Sequence, residues 1–198
     1  QLVLVEFAKV LSKASMHKEA ADLLRLINFS TAKNIDALLL LAKSESFLKN
    51  FANAKIHIAQ AEKIQPDSME LLLVKSYLEN EQGNPKQALD LLEKALVSMP
   101  NNTEILANLV ISAMRANQSG KAFRAAEKLT ILESQNLEFL YLYGAAALQN
   151  NSLQKAENAL DEILKAATDW QPSAGAGVKG AAYPADTFEF SGTVEEIN

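Results

Sequence analysis

The 198-residue chain contains no cysteine, which excludes disulfide bonds, thiolate nucleophiles and cysteine-ligated metal sites. It also lacks an excess of basic residues: 19 Lys and Arg stand against 24 Asp and Glu, for a net charge of −5. Because a phosphate-binding surface needs clustered Lys and Arg, nucleic acid is not expected as a partner. The longest dense apolar run, residues 37–42, is far too short to cross a bilayer, so direct membrane insertion is not expected either.

The residues that carry catalysis are equally scarce. The chain has two histidines, His17 and His57, and they occupy different positions of the repeat described below, so stacking of repeats does not align them. A nucleophilic triad needs a nucleophile, a base and an orienting acid within reach of one another. The glycines at 175, 177 and 180 follow no predicted strand and open no helix, so they form no phosphate-binding loop. The sequence therefore predicts no enzyme, no cofactor and no metal site.

A period of about 34 residues runs through most of the chain. The hydrophobic content of 48% suffices for a buried core. Two columns of the period are invariant in five copies. Alanine stands at Ala20, Ala54, Ala88, Ala122 and Ala156, and leucine stands at Leu4, Leu38, Leu72, Leu106 and Leu140. A third column is always apolar: Leu24, Ile58, Leu92, Ala126 and Leu160. Such self-similarity indicates a repeat architecture.

Each copy divides into two amphipathic helices joined by a short turn. In the third copy the turn precedes Asn84, which suits an N-cap, and Pro85, which suits the first helical position. Gln87 is placed to complete a capping box with Asn84. Pro66 and Pro100 are expected to mark the ends of second helices. The invariant alanine is explained by close approach, because two antiparallel helices pack tightly only where a contact residue is small.

Each copy is a helix–turn–helix of this period that contains, in order, a large residue, a small residue, alanine, a second large residue and, in two copies, a terminal proline. This pattern resembles that of the tetratricopeptide repeat (TPR) family. The resemblance implies an all-α, right-handed α-solenoid of five repeats, and the change of composition after residue 170 predicts a non-helical C-terminal tail. The expected repeats are residues 1–34, 35–68, 69–102, 103–136 and 137–170. The chain departs from the family pattern in having leucine in place of the family's tryptophan, and Glu45 and Glu79 where an aromatic residue is usual.

Residues 171–198 break the period and contain four of the seven glycines. One interpretation is a Gly- and Pro-containing linker that leads into an extended segment. The other is a ligand for a TPR groove, in the same molecule or in a neighbour, so that self-association occurs through residues 171–198.

In a TPR-like stack the first helix of each repeat lines the concave face, and the resemblance places the binding groove there. The candidate groove residues are Leu39, Lys43, Leu73, Tyr77, Asn108, Ile111, Met114 and Tyr141. An acidic rim is expected from Asp36, Glu70, Glu104 and Glu138. This surface suits a helix or extended segment bearing Lys or Arg. The alternative is that much of this stripe is core, because superhelical arrays bury more of the first helix than a single pair does.

The leading functional hypothesis is a protein–protein interaction scaffold that binds another protein or peptide in this groove. The alternative is a structural module in which the tail or an array end docks on another copy. Abundant Asn and Gln with no cysteine slightly favour a bacterial extracytoplasmic protein over a cytoplasmic one.

Overall fold

A computed structural model describes residues 2–27, 34–66 and 68–169. These residues form ten α-helices, which pair as successive antiparallel hairpins and confirm the predicted all-α repeat fold. The helices are α1 Leu2–Lys13, α2 His17–Leu24, α3 Ile35–Phe47, α4 Phe51–Ile64, α5 Met69–Glu81, α6 Pro85–Ser98, α7 Thr103–Arg115, α8 Ser119–Leu132, α9 Leu137–Gln149 and α10 Leu153–Asp169. The tail predicted for residues 171–198 lies outside the described residues.

Each helix packs on its neighbours in the chain, so the hairpins stack side by side rather than gather into a bundle. Each hairpin pairs a first helix with a second helix, and each second helix also packs on the first helix of the next hairpin. Successive first helices touch as well: α1 contacts α3, α3 contacts α5, and α7 contacts α9. This nearest-neighbour pattern is that of an α-solenoid.

The invariant alanine column lies where the two helices of a hairpin cross. Ala20, Ala54, Ala88 and Ala122 are completely buried, and Ala156 is 7% exposed. Larger side chains from both helices of the hairpin surround the small residue: at Ala54 the buried cluster includes Leu38 of α3 and Ile58 of α4. The sequence-based explanation of this column by close helix approach is thus confirmed.

Four of the five first helices begin at a side-chain cap that recurs once per repeat. Asn34, Ser68 and Asn102 each accept a hydrogen bond from the backbone N–H three residues later, and Asn136 accepts from the N–H groups two and three residues later. These caps satisfy N–H groups that a helix leaves unpaired at its start. Pro66 and Pro100 lie between a second helix and the next cap, as expected.

The turns inside the hairpins contain a residue in the left-handed conformation, which recurs at the same position of every repeat. Ser15, Lys49, Gly83, Asn117 and Asn151 all have positive φ angles, between 57° and 80°. In each turn the next N–H bonds a carbonyl five residues earlier, as in Asn84 N–H to Glu79 O at 2.8 Å. This is the Schellman geometry, for which glycine is the preferred residue.

The capping box predicted at the start of α6 is wrong. Asn84 does occupy the N-cap position, but its side chain makes no capping bond to the helix. Its amide Nδ2 instead donates to Glu79 Oε2 at 2.9 Å, and Gln87 is exposed. The physical reason is the left-handed residue Gly83, which folds Asn84 back toward the end of α5.

One charged side chain is buried in the stack. Glu45, at a position where the TPR family usually has an aromatic residue, has a 1% exposed side chain. Its Oε1 accepts a hydrogen bond of 2.6 Å from Arg25, which follows α2, whereas its Oε2 has no hydrogen-bond partner among the described residues. This ion pair connects the first hairpin to the second. Within the same described ranges, no helix combines the length and the apolar character needed to span a membrane.

Candidate functional site

The first helices line the concave side of the array. Close backbone contacts join α1 to α3, α3 to α5 and α7 to α9, whereas successive second helices are joined, in the part of the chain that the structure describes, by long side chains that form ion pairs, such as Glu93 with Lys121. A stack whose elements approach more closely on one side curves toward that side. We call the surface formed on that side by α3, α5, α7 and α9 the groove.

A polar cluster crosses the groove between three successive first helices. Lys43 Nζ lies 4.3 Å from the centroid of the Tyr77 ring and donates to Tyr77 Oη at 3.2 Å. Asn108 Nδ2 donates to the same oxygen at 3.1 Å, and Tyr77 Oη donates to Glu104 Oε1 at 3.3 Å. Lys43 Nζ also lies 3.8 Å from Glu104 Oε1. We call these four residues the Tyr77 cluster; it connects α3, α5 and α7.

Burial controls the electrostatics of this cluster. Burial lowers the pKa of Lys43, and the neighbouring carboxylate of Glu104 opposes that shift. Burial is also the main reason that the pKa of Tyr77 is raised, and Glu104 adds to it. Tyr77 is therefore held as a neutral phenol that bridges an amide, an ammonium and a carboxylate. The four side chains thus form a fixed hydrogen-bond network across three helices.

A second polar contact joins α5 to α7 behind the Tyr77 cluster. Asn80 Nδ2 donates to Ser112 Oγ at 2.7 Å, and both residues are buried. At the end of the same two helices, Arg115 Nη1 lies 3.4 Å from Glu81 Oε1. Buried polar side chains that are hydrogen-bonded to each other fix the register of their helices. The middle of the array is therefore held by specific polar contacts as well as by apolar packing.

The predicted groove residues fall into three groups. Leu39, Leu73 and Asn108 are buried, with 5%, 4% and 8% exposure, so a ligand in the groove can touch little of them. Lys43 and Tyr77 belong to the Tyr77 cluster, where their polar atoms already have partners within the chain.

The third group lies in the C-terminal half of the groove. Ile111 and Met114 are half-buried against the core, and Tyr141 is 54% exposed. Leu148, two turns after Tyr141 in α9, is also exposed. The apolar surface available to a ligand is therefore concentrated on α7 and α9.

The predicted acidic rim lies at the surface, but its members differ in whether the array pairs them. Asp36 lies 3.6 Å from Lys9, and Glu104 is engaged by Lys43 and Tyr77. Glu70 and Glu138 make no ion pair with any described residue. Two of the four carboxylates are thus neutralised by the array itself, and two remain available to an external cation.

Sequence reasoning missed the partners of these residues. It did not single out Ser112 or the contact of Arg115 with Glu81. A signal was present: Lys43 and Tyr77 stand one period apart in a single column, so stacking had to bring them together. The two histidines are separate, as their columns predicted. His17 stacks on Phe47 with a ring-centroid distance of 4.2 Å, and His57 lies in α4.

No constellation of His, Asp and Glu side chains that could hold a metal ion occurs in residues 2–27, 34–66 and 68–169.

The sequence model of the tetratricopeptide repeat family matches residues 108–169. No curated protein sequence matches significantly. Among solved structures, PilW, described as a widely conserved type IV pilus biogenesis factor, has a TM-score of 0.70 with 19% identity, over 85% of this chain and 78% of PilW. MamA from Desulfovibrio magneticus RS-1 has a TM-score of 0.65 with 15% identity, over 86% of this chain and 96% of the MamA chain. A second MamA structure, from AMB-1, has a TM-score of 0.59 with 14% identity, over 87% of this chain and 94% of that chain.

At these identities the solved structures establish the fold, while residues 108–169 supply the sequence match. TPR proteins generally mediate protein–protein interactions and are generally not enzymes. Residues 108–169 match the tetratricopeptide repeat family, and the repeated hairpins together with the structural neighbours show that the described array has the TPR solenoid fold.

Proposed function

We propose that the chain is a non-catalytic scaffold that binds another protein through the C-terminal half of its groove. One observation carries this proposal: an apolar surface and a carboxylate without an ion pair lie side by side. Glu138 forms no ion pair with any described residue, and it lies on α9 together with the exposed Tyr141. The segment that suits this surface is apolar on one side and carries Lys or Arg.

Tyr141 is the expected anchor of that segment. Aromatic side chains dominate interface energetics because they bury a large area at a small cost in conformational entropy. Ile111 and Met114 on the neighbouring first helix extend the wall, and their partial burial holds them in place before a ligand arrives. The occupant therefore needs to contact only α7 and α9, together with Glu70 on α5 for a longer segment.

The N-terminal half of the groove is less suited to a ligand. Leu39 and Leu73 are buried, and the Tyr77 cluster satisfies the polar groups above them within the chain. A ligand there would have to break existing hydrogen bonds before making its own. We accordingly assign Lys43 and Tyr77 a positioning role that sets the spacing of α3, α5 and α7.

The groove can be tested with two fluorescent amphipathic peptides, each long enough for several helical turns, that differ only in carrying Lys or Glu on the polar face. Fluorescence anisotropy is expected to detect binding of the Lys peptide and not of the Glu peptide. Tyr141→Ala is expected to weaken binding about tenfold, as loss of an aromatic anchor commonly does. Glu138→Lys is expected to weaken it most at low salt, where charges are least screened.

Matched controls are available on second helices. Ile131 on α8 is exposed, and so is Asp90 on α6. Ile131→Ala and Asp90→Lys make the same kinds of change outside the groove and should leave binding unaltered. Equal binding of the Lys and Glu peptides, or wild-type binding by both groove variants, would refute the assignment.

Self-association is a second candidate function, and the exposed apolar residues at both ends of the described array favour it. The description of PilW as a pilus biogenesis factor supports a role in protein assembly for a chain of this fold. In both candidates we assign residues 1–170 to the array, and in the second candidate either residues 171–198, which lie outside the described residues, or an end of the array docks on another copy.

A further inference from the structure

The N-terminal face of the array exposes a side chain whose equivalents are buried in every other repeat. Val3 is 79% exposed, whereas the residues one to four periods later are at most 7% exposed. Those residues are Ala37, Leu71, Ile105 and Phe139. Phe7 and Val10 follow Val3 at helical spacing and are 57% and 61% exposed. Together Val3, Phe7 and Val10 form a stripe on α1 that no other described helix covers, which we call the head face.

The C-terminal end of the described array also exposes a side chain whose equivalents in the other repeats are buried. Leu160 on α10 is 54% exposed, whereas its equivalents in the four preceding repeats are at most 6% exposed. Those equivalents are Leu24, Ile58, Leu92 and Ala126. Leu164, one turn further along α10, is exposed to a similar extent. We call Leu160 and Leu164 the tail face.

At the internal junctions the columns of the two faces pack against each other. Leu24 of the first hairpin shares one buried cluster with Ala37 and Leu41 of the second. Leu92 of the third hairpin shares another with Ile105 of the fourth. The tail-face column of one repeat is thus the natural cover for the head-face column of the next.

We propose that the tail face of one copy docks on the head face of a second copy and repeats the internal junction between two molecules. This inference deepens the self-association candidate and is independent of peptide binding in the groove. The contact is heterologous, so a docked pair leaves one head face and one tail face open, and growth is linear rather than closed.

Charge at this junction opposes the apolar contact and makes it sensitive to salt. At two internal junctions an acid on one second helix forms an ion pair with a lysine on the next: Glu93 with Lys121, and Glu127 with Lys155. The equivalent positions in a head-to-tail contact are Asp161 of one copy and Glu19 of the other. Both are acidic and exposed. Association should therefore strengthen as salt screens this repulsion.

Sedimentation velocity on the full chain over a range of concentrations tests the proposal. The wild-type protein is expected to form dimers and longer species as its concentration rises. Val3→Asp blocks the head face and Leu160→Glu blocks the tail face; both sites are exposed, and circular dichroism checks that each variant keeps its helices. Each variant alone should be monomeric, whereas an equimolar mixture should form a one-to-one dimer and nothing larger, because each partner retains one intact face.

Glu19→Lys supplies a gain-of-association test. It places at the intermolecular junction the acid–lysine combination found at the two internal ones, and should tighten association about fivefold at low salt. The wild-type chain should associate more strongly at high salt, and the variant should lose that response.

Three outcomes would overturn the inference. A wild-type chain that stays monomeric at the highest soluble concentration indicates that no second copy docks. Dimerisation of Val3→Asp or Leu160→Glu with itself indicates a symmetric contact or one made elsewhere, such as through residues 171–198. Failure of the two variants to pair when mixed removes the head-to-tail geometry. Peptide binding by both variants is measured in parallel. If both still bind the Lys peptide, the outcome of the self-association experiment is independent of the proposed groove.

Discussion

The ion pair between Arg25 and Glu45 carries a prediction about the stability of the junction between the first two hairpins. Arg25→Ala removes the donor that bonds Glu45 Oε1 at 2.6 Å and leaves a carboxylate in a side chain that is only 1% exposed. Because Glu45 Oε2 already lacks a hydrogen-bond partner among the described residues, the carboxylate has little to compensate for the loss. The variant should unfold more easily than the wild type.

The size of the effect follows from how much water reaches the pair. Removing one partner of a fully buried ion pair costs about 3–5 kcal/mol. Arg25 itself is 45% exposed, so solvent can enter the space that its side chain vacates. We therefore expect a loss nearer to that of a single hydrogen bond to a charged group, about 2 kcal/mol. For a chain of this size that corresponds to a fall in Tm of about 4–8 °C.

Thermal and urea unfolding, followed by circular dichroism, measure this loss. Lys121→Ala is the matched control, since it breaks the more exposed pair with Glu93 and should cost less than about 1 kcal/mol. Adding Glu45→Leu to Arg25→Ala should recover stability, because the equivalent position in the first repeat is Leu11 and an apolar side chain leaves no buried charge. Equal losses for Arg25→Ala and Lys121→Ala, or a double variant no more stable than Arg25→Ala, would refute the reasoning.

Three further predictions concern the turns, the alanine column and the histidines. Gly83→Ala should lower the free energy of unfolding by about 1 kcal/mol, because a residue with a Cβ is strained at a φ of 80°; an added Cβ would meet no atom within 4 Å, so the strain is the whole effect. Ser15→Gly should stabilise the equivalent turn of the first repeat for the same reason. Unfolding midpoints measure both changes. Ala88→Leu should cost about 1–3 kcal/mol by overpacking a completely buried site, whereas Ala59→Leu at an exposed site of α4 should be nearly neutral. Burial lowers the pKa of His17 and of His57 below the ordinary value of 6.5. The unfolded chain therefore binds protons more readily than the folded chain, and the free energy of unfolding should fall as the pH drops below about 6.5. A His17→Gln, His57→Gln double variant should show a shallower fall between about pH 7 and pH 5, and an unchanged slope would contradict this cause.

The positions of the helices could be predicted because they depend on contacts close in sequence. The repeat period, the alanine column and the prolines after second helices all report how one hairpin is built, and the hairpins found agree with them. The capping bond predicted for the Asn84 side chain is absent, although asparagine is a favoured N-cap residue and Asn84 occupies the N-cap position. A left-handed residue just before it redirected the side chain, and that conformation is a property of the whole turn.

The candidate groove was less predictable, because the exposure of a first-helix side chain depends on the repeats on either side. Leu39 and Tyr141 occupy the same column of the period, yet one is buried and the other is 54% exposed. The period alone treats them as equivalent. Lys43 was assigned to the groove wall from its column, but its actual contact with Glu104 crosses two repeats.

The sequence by itself determined the repeat, the helical hairpin, the small residue at each helix crossing and the absence of cysteine chemistry. These features follow from local helix periodicity and from steric limits within one hairpin. Only the tertiary structure decided which carboxylates are already paired, which apolar side chains the neighbouring repeat covers, and which faces remain open at the two ends of the described array. Those outcomes depend on the curvature and stacking of successive hairpins, which bring together side chains that no single period contains.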